Sequence, residues 1–257
     1  MIHVMLDLET WGTRPGADIR SIGAVIFDPA KNIITGDTFY VACDNPPSAY
    51  KDGSDRDDHK YPLHRDPRTL QWWSEQSDEA QAAFADPVEL REALVRFADW
   101  YYSLACAEPM QVRLWSHGVS FDPPILAAAY EAVGLPVPWH YRAPRDTRTA
   151  FDLAGIDDHS AWLKQHPGPL GVPHHALDDA ICQARAVCAA QRLVQRWRNT
   201  SNSSDALPSY LNNIVRDIED EGDRAYFGST NDADHLRQIA EDLDAGRFER
   251  DCEDDEQ

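Results

Sequence analysis

Residues 3–10, His-Val-Met-Leu-Asp-Leu-Glu-Thr, limit what this chain can fold into more than any other stretch. Their alternation reads as a β-strand, with Val4, Leu6 and Leu8 on one side and Asp7 and Glu9 together on the other. A rise of about 3.3 Å per residue sets the two carboxylates roughly 6 to 7 Å apart on one face. Like charges at that spacing repel unless a cation lies between them, and a donor set of oxygens alone suits Mg²⁺ or Mn²⁺ better than zinc. A solvent-facing antiparallel strand would also tolerate these acids, so the rest of the chain has to decide.

The chain has 257 residues, 42 % of them hydrophobic, enough for a sizeable core. No apolar run reaches the ~20 residues of a membrane span, and Met1-Ile2-His3 lacks the basic-then-apolar plan of a secretory signal, so a cytoplasmic protein with no membrane partner is expected. Cys43, Cys106, Cys182, Cys188 and Cys252 show no paired spacing and read as reduced thiols. The net charge of -20 is concentrated at one end, since residues 201–257 carry 17 acids against 5 bases. A broad basic footprint for long duplexes is therefore missing, although a metal-mediated grip on one strand end is compatible with this charge.

Along the chain, residues 18–27 and 33–41 read as second and third strands of an antiparallel meander. Residues 43–65 form a long polar segment, of the length that is often functional. Asp66-Pro67 supplies a cap and first-turn proline for a helix through Trp72 and Trp73, and Asp86-Pro87-Val88-Glu89 reads as a second capped helix start. Adjacent tryptophans on one helix cannot both face the core, leaving packing and base stacking both open for this pair. Residues 111–116 read as a strand, followed by a helix opening at Asp122, whose carboxylate suits an N-cap, a metal ligand or both. Residues 139–142 read as a further short strand. Asp146-Thr147 looks like another capped helix start, flanked by Arg145 and Arg148 as candidate phosphate contacts or surface ion-pair partners. His174-His175-Ala176-Leu177-Asp178-Asp179 opens a long helix to about Trp197. Beyond it lie a Ser/Asn linker, weak polar helices over 209–221 and 231–245, and an acidic end.

The order of these motifs, with Asp7 and Glu9 in Leu-Asp-Leu-Glu-Thr, Asp122 in Ser-Phe-Asp, and His174 five residues before Asp179, resembles the DEDDh 3′→5′ exonucleases. Thr69-Leu70-Gln71-Trp72-Trp73 and Trp115-Ser116-His117-Gly118 look closest to the small exoribonuclease branch of mycobacteria and phages, with His117 where that branch carries Asn. The likeness covers about residues 1–197, an exonuclease domain, and leaves residues 198–257 as an acidic tail. It implies an α/β, ribonuclease-H-like fold with a mixed five-stranded sheet and helices on both faces. It also implies two Mg²⁺ or Mn²⁺ ions on Asp7, Glu9, Asp122 and Asp179, with His174 as general base.

Under this resemblance, Thr10, Trp11, Trp73, Phe121, Arg145 and Arg148 contact the substrate, the single-stranded 3′ end of an RNA, and nucleoside 5′-monophosphates are released. A homodimer is a family-level expectation. Two other readings stand beside it: a 3′→5′ DNA exonuclease, and an inactive nuclease-fold module that binds partners through its tail. Spacing favours His174 over His175 as the base, because His175 stands five before Ala180, which binds no metal. Asp178 is turned about 100° around the helix from Asp179.

Overall fold

The computed structural model describes residues 1–46, 59–104 and 111–201. The chain divides into a compact unit, Met1–Leu193, and a second unit from Val194 onward. The polar helices and acidic end read from the sequence, together with residues 47–58 of the long polar segment, lie outside the described residues.

β1 (Ile2–Thr10) is the central strand, antiparallel to β2 (Ile19–Asp28), which pairs antiparallel with β3 (Ile33–Asp44). On its other side β1 runs parallel to β5 (Val112–Ser116), and β5 runs parallel to β6 (Pro144–Asp146). With the two-residue β4 (Val88–Glu89) on Cys43 and Asp44, the mixed sheet has six strands in the order β4-β3-β2-β1-β5-β6 rather than the five expected. The added strand corrects the capped helix start read at Asp86: that residue sits at φ 53°, outside cap geometry, and the chain pairs with an open sheet edge before turning helical at Leu90. The short strand also moves. Residues 139–142 form a turn closed by the Ala143 amide donating to the His140 carbonyl, and pairing begins at Pro144, which lacks an N–H and is tolerated on an edge strand.

Helices cover both faces. α1 (Pro67–Ser74) is capped by Asp66, whose side chain accepts from the Arg68 amide, and α2 (Asp78–Ala82) follows. One face of the sheet, with Val4, Leu6, Leu8, Ile22 and Ala24, is buried in one cluster with Leu94 and Phe97 of α3 (Leu90–Leu104) and Ile125 and Tyr130 of α4 (Asp122–Ala132). α5 (Thr147–Asp152) and α6 (His159–Lys164) precede α7 (Ala176–Ser201), which runs past the linker start read at Asn199 and lies on the other face. Its approach depends on Gly23: a β-carbon there would lie 2.2 Å from the Ala176 carbonyl carbon and the Leu177 nitrogen. Because Gly23 pairs with Asp7, the same contact brings the start of α7 beside the first carboxylate. Cys43, Cys182 and Cys188 are free thiols. Among the described residues no helix is long and apolar enough to cross a membrane.

Candidate active site

The site lies where β1, the start of α4 and the start of α7 meet. Strand alternation places Asp7 and Glu9 on the α7 face, opposite Gly23 and Ser21, two small partners that leave the carboxylates room. Asp122 is the first residue of α4 rather than its cap: Phe121 holds the cap position without a side-chain bond, while Asp122 Oδ1 accepts from the Leu8 amide at 3.1 Å. Its carboxylate thus joins β1 to α4 between Asp7 and Glu9. On α7, Asp179 Oδ2 accepts from the His174 amide at 3.0 Å, closing the bend at His174, which adopts φ 62°. Ligand atoms of Glu9, His174 and Asp179 come within 4.8 Å of one another. Asp7 stands beside them, its Oδ1 accepting from Gln183 Nε2 at 2.7 Å.

Electrostatics follow from this crowding. Burial and then the Asp122, Glu9 and Asp179 charges push the Asp7 carboxyl well above its ordinary range. Burial, then Asp179 and Asp122, do the same to Glu9. Asp122 is pushed up to about 7 and Asp179 to about 6, both chiefly by burial. Four adjoining carboxylates in a half-dry site are costly while no cation is bound, and an all-oxygen set with one imidazole nearby fits hard divalent ions such as Mg²⁺ or Mn²⁺. Burial also lowers the His174 pKa, which favours the neutral imidazole near neutral pH.

A cavity of about 550 Å³ opens against this cluster, lined by Asp7, Glu9, Asp179 and His174 on one side and by Thr10, Trp72, Trp73 and Phe121 on the other. Trp73 is buried, its indole N–H donating to the Thr10 carbonyl at 2.9 Å, whereas Trp72 is 40 % exposed and meets the His174 ring edge-on at 4.7 Å. The tryptophan pair therefore divides between packing and groove wall. His175 is turned away: its ring stacks on Tyr40 at 4.5 Å and its Nδ1 accepts from the Asp178 amide.

Residues 2–191 match the family described as the 3′-5′ exoribonuclease Rv2179c-like domain. The chain belongs to that family of 3′-5′ exonucleases. An exodeoxyribonuclease of enterobacteria phage T4 is 26 % identical over 129 residues, a match spanning 49 % of this chain and 54 % of that protein, so the likeness reaches about half the relative's length. Among solved structures, the nuclease domain of 3′hExo, a DEDDh family member bound to rAMP, superposes with a TM-score of 0.50 at 16 % identity, covering 76 % of this chain and 92 % of that one. Cell-death related nuclease 4 gives a TM-score of 0.52 at 13 % identity, over 76 % and 64 % of the two chains. These superpositions carry the ribonuclease-H-like fold.

Within this exonuclease domain the structure gathers Asp7, Glu9, Asp122, Asp179 and His174, with Thr10, Trp73 and Phe121 around them. Three residues expected at the substrate lie outside the lining of this cavity. Trp11 is outside the cavity lining, stacked against the guanidinium groups of Arg20 and Arg65. Arg145 folds back on the carbonyls of Arg142 and Pro144, because the turn before β6 leaves those acceptors in need of a donor. Arg148 faces a second cavity on the far side of His174.

Two residues near the cluster carried no motif. Gln183 stands four after Asp179, one helical turn, so its place beneath Asp7 was open to a spacing argument. Arg20 was not: β2 bulges there, with Glu9 opposite Ser21 but Thr10 opposite Ile19, so Arg20 is the extra residue. Its guanidinium lies between Trp11, Trp73 and Phe84, at 4.2, 4.1 and 3.6 Å from their ring centres.

Proposed function

We propose that this domain is a divalent-metal-dependent 3′-5′ exoribonuclease that removes nucleoside 5′-monophosphates from single-stranded 3′ ends. The observation that carries this reading is the joining of Asp7, Glu9, Asp122 and Asp179 beside an aromatic cavity of about 550 Å³, a size that suits one nucleotide. The exoribonuclease description of the family supports RNA as the substrate. The phage T4 relative is an exodeoxyribonuclease, which gives the DNA reading its one specific support. The complete acid set weighs against an inactive binding module, since four crowded carboxylates, Glu9 and Asp122 buried and Asp7 and Asp179 half-buried, persist at a cost that metal binding offsets.

Asp7, Glu9, Asp122 and Asp179 would hold two Mg²⁺ or Mn²⁺ ions. When bound, such ions activate water and stabilise the oxyanion that leaves. The protein's own part is positional. Leu8 fixes Asp122 through its amide, Gln183 fixes Asp7, and the His174 amide fixes Asp179, so the donors are held before substrate arrives. Trp72 and Phe121 offer apolar walls on which the terminal base stacks without a sequence requirement, and buried Trp73 backs Trp72 edge to face. A ring nitrogen of neutral His174 takes the proton from the attacking water. The water oxygen bonds to phosphorus as the scissile P–O3′ bond breaks, leaving the phosphate on the released nucleotide, and a proton from solvent turns the departing O3′ into the free 3′-hydroxyl of the shortened chain.

The test is digestion of matched 5′-labelled RNA and DNA oligonucleotides with Mg²⁺, with Mn²⁺ and with EDTA. Stepwise loss of 3′ nucleotides from RNA, abolished by EDTA, is expected. Equal or faster digestion of DNA would move the assignment to the deoxyribonuclease reading.

A further inference from the structure

The second cavity, of about 680 Å³, shares His174 and Asp179 with the first but has a different chemical character. Its walls carry Arg148 from α5, Lys164 from α6, and His117 and His159. In a chain of net charge -20, cations gathered at one opening call for an anionic occupant. Of the acids nearby, Asp122 feels the charge of Arg148, and Asp146 accepts from the Arg148 amide on Oδ1 and from the Val119 amide on Oδ2. Both oxygens of Asp178 are taken, by the amides of Leu170 at 2.7 Å and Val172 at 3.2 Å. Asp179 belongs to the carboxylate cluster, and the His159 ring is held by Asp152 at 2.9 Å. Neither Arg148 nor Lys164 has an ion-pair partner within 4.0 Å among the described residues. His117 is fixed by Thr147, its Nδ1 lying 2.7 Å from Oγ1, which keeps a rigid polar ring in this wall.

We infer that this cavity is a second nucleotide site, in which Lys164 and Arg148 bind the phosphate one position 5′ of the bond to be cut. This rests on the nuclease reading above. If the terminal nucleotide occupies the aromatic cavity and the bond is cut beside Asp179 and His174, the remaining chain has to continue past those two residues, and the second cavity begins there. The assignment makes the enzyme sensitive to a phosphate it does not hydrolyse. A dinucleotide with a 5′-phosphate fills both sites, while the same dinucleotide without it leaves the basic wall empty.

The experiment compares these two dinucleotides on the full chain in Mg²⁺, measuring cleavage rates and, with a phosphorothioate-blocked pair, binding by titration calorimetry. Wild type should favour the 5′-phosphorylated substrate through KM by about tenfold, the scale of one charge-assisted contact. Lys164→Ala should erase most of that preference and leave the unphosphorylated substrate untouched, and Lys164→Arg should retain it. On longer oligonucleotides Lys164→Ala should reduce the slope of log affinity against log salt by about 0.7. An undiminished preference in Lys164→Ala, or an equal loss on both substrates, overturns the inference. Binding preference with no cleavage of the dinucleotides or of longer RNA would instead defeat the nuclease reading and leave the phosphate site standing.

Discussion

Asp178 and Asp179 are neighbours on α7, yet they belong to two regions with opposite electrostatic plans. Asp178 is 3 % exposed and spends its two oxygens on the backbone amides of Leu170 and Val172, while a β-carbon at Gly168 would sit 2.3 Å from its carboxyl carbon. It is a loop anchor, as is Asp18, fully buried with its Oδ2 accepting from Arg65 Nε at 2.8 Å and its Oδ1 from the Ile19 amide. The Asp179 carboxylate has one hydrogen bond and, within the cluster, the Asp7 and Glu9 carboxylates for neighbours. Burial alone therefore does not mark a functional acid. The difference lies in whether the protein completes the carboxylate's coordination or leaves it for something that arrives later.

That contrast can be broken most severely by neutralising one member of the cluster. Asp7→Asn, Glu9→Gln, Asp122→Asn and Asp179→Asn should each lower kcat by about 10³-fold or more, the scale of losing one electrostatic stabiliser in a closed site. Their thermal midpoints without metal should match or exceed wild type, because a like charge has been removed. Midpoints that fall together with activity would mean these acids are structural, like Asp178. Asp178→Asn should do the reverse, lowering stability by about 1 to 3 kcal/mol, the cost of disturbing buried acceptors, with kcat changed far less.

His174→Ala should reduce kcat by about 10² to 10⁴ with metal binding retained, the range for losing a general base, and His175→Ala should cost much less. A dead His175→Ala beside an active His174→Ala would reverse the assignment of the two rings. Gln183→Ala is expected to weaken metal affinity by about 10- to 100-fold, as for other residues that orient a ligand, with recovery of rate at saturating Mn²⁺. Rate that stays low at saturation would give Gln183 a part beyond orienting Asp7.

The effect that leaves activity aside is in stability against pH. Asp179 at about 6 and Asp122 at about 7 hold their protons more tightly folded than unfolded, where an aspartate titrates near 3.9. Across that window the native state binds more protons, so stability falls as pH rises from about 4 to 7. In EDTA the thermal midpoint should decline over this range, by an amount on the order of a few kcal/mol in free energy. Mn²⁺ should restore it at pH 7.5 by mass action. A metal-free midpoint that rises across the window would show that the cluster is compensated within the fold.

Much of this was legible because it is periodic. Asp7 and Glu9 follow from strand alternation and Trp72 and Trp73 from the geometry of one helix, while His174 and Asp179 stood out only through the resemblance to the DEDDh exonucleases. What the sequence concealed depends on contacts between distant elements. Asp122 suited a cap, a metal ligand or both, but nothing local showed that one of its oxygens accepts from the Leu8 amide, 114 residues away. Arg145 looked like a phosphate ligand, but the turn beside it supplies carbonyls that compete for its guanidinium. Val88 and Glu89 looked like a first helical turn until the open edge of β3 offered them partners. Lys164, on a six-residue helix without a strong apolar pattern, had no local signal.

The extra residue in β2 acts as a phase shifter. On the two sides of Arg20 the parity of the strand is reversed, so Ile19 and Ile22, three apart, pair with Thr10 and Leu8, which are two apart and share a face. A designer copying only Asp7 and Glu9 onto an ideal, evenly alternating sheet would put every second residue of the neighbouring strand out of step at that point. The carboxylates would be reproduced, but the cation lodged among Trp11, Trp73 and Phe84 would have no position from which to enter. Transplanting this centre therefore means transplanting an irregularity.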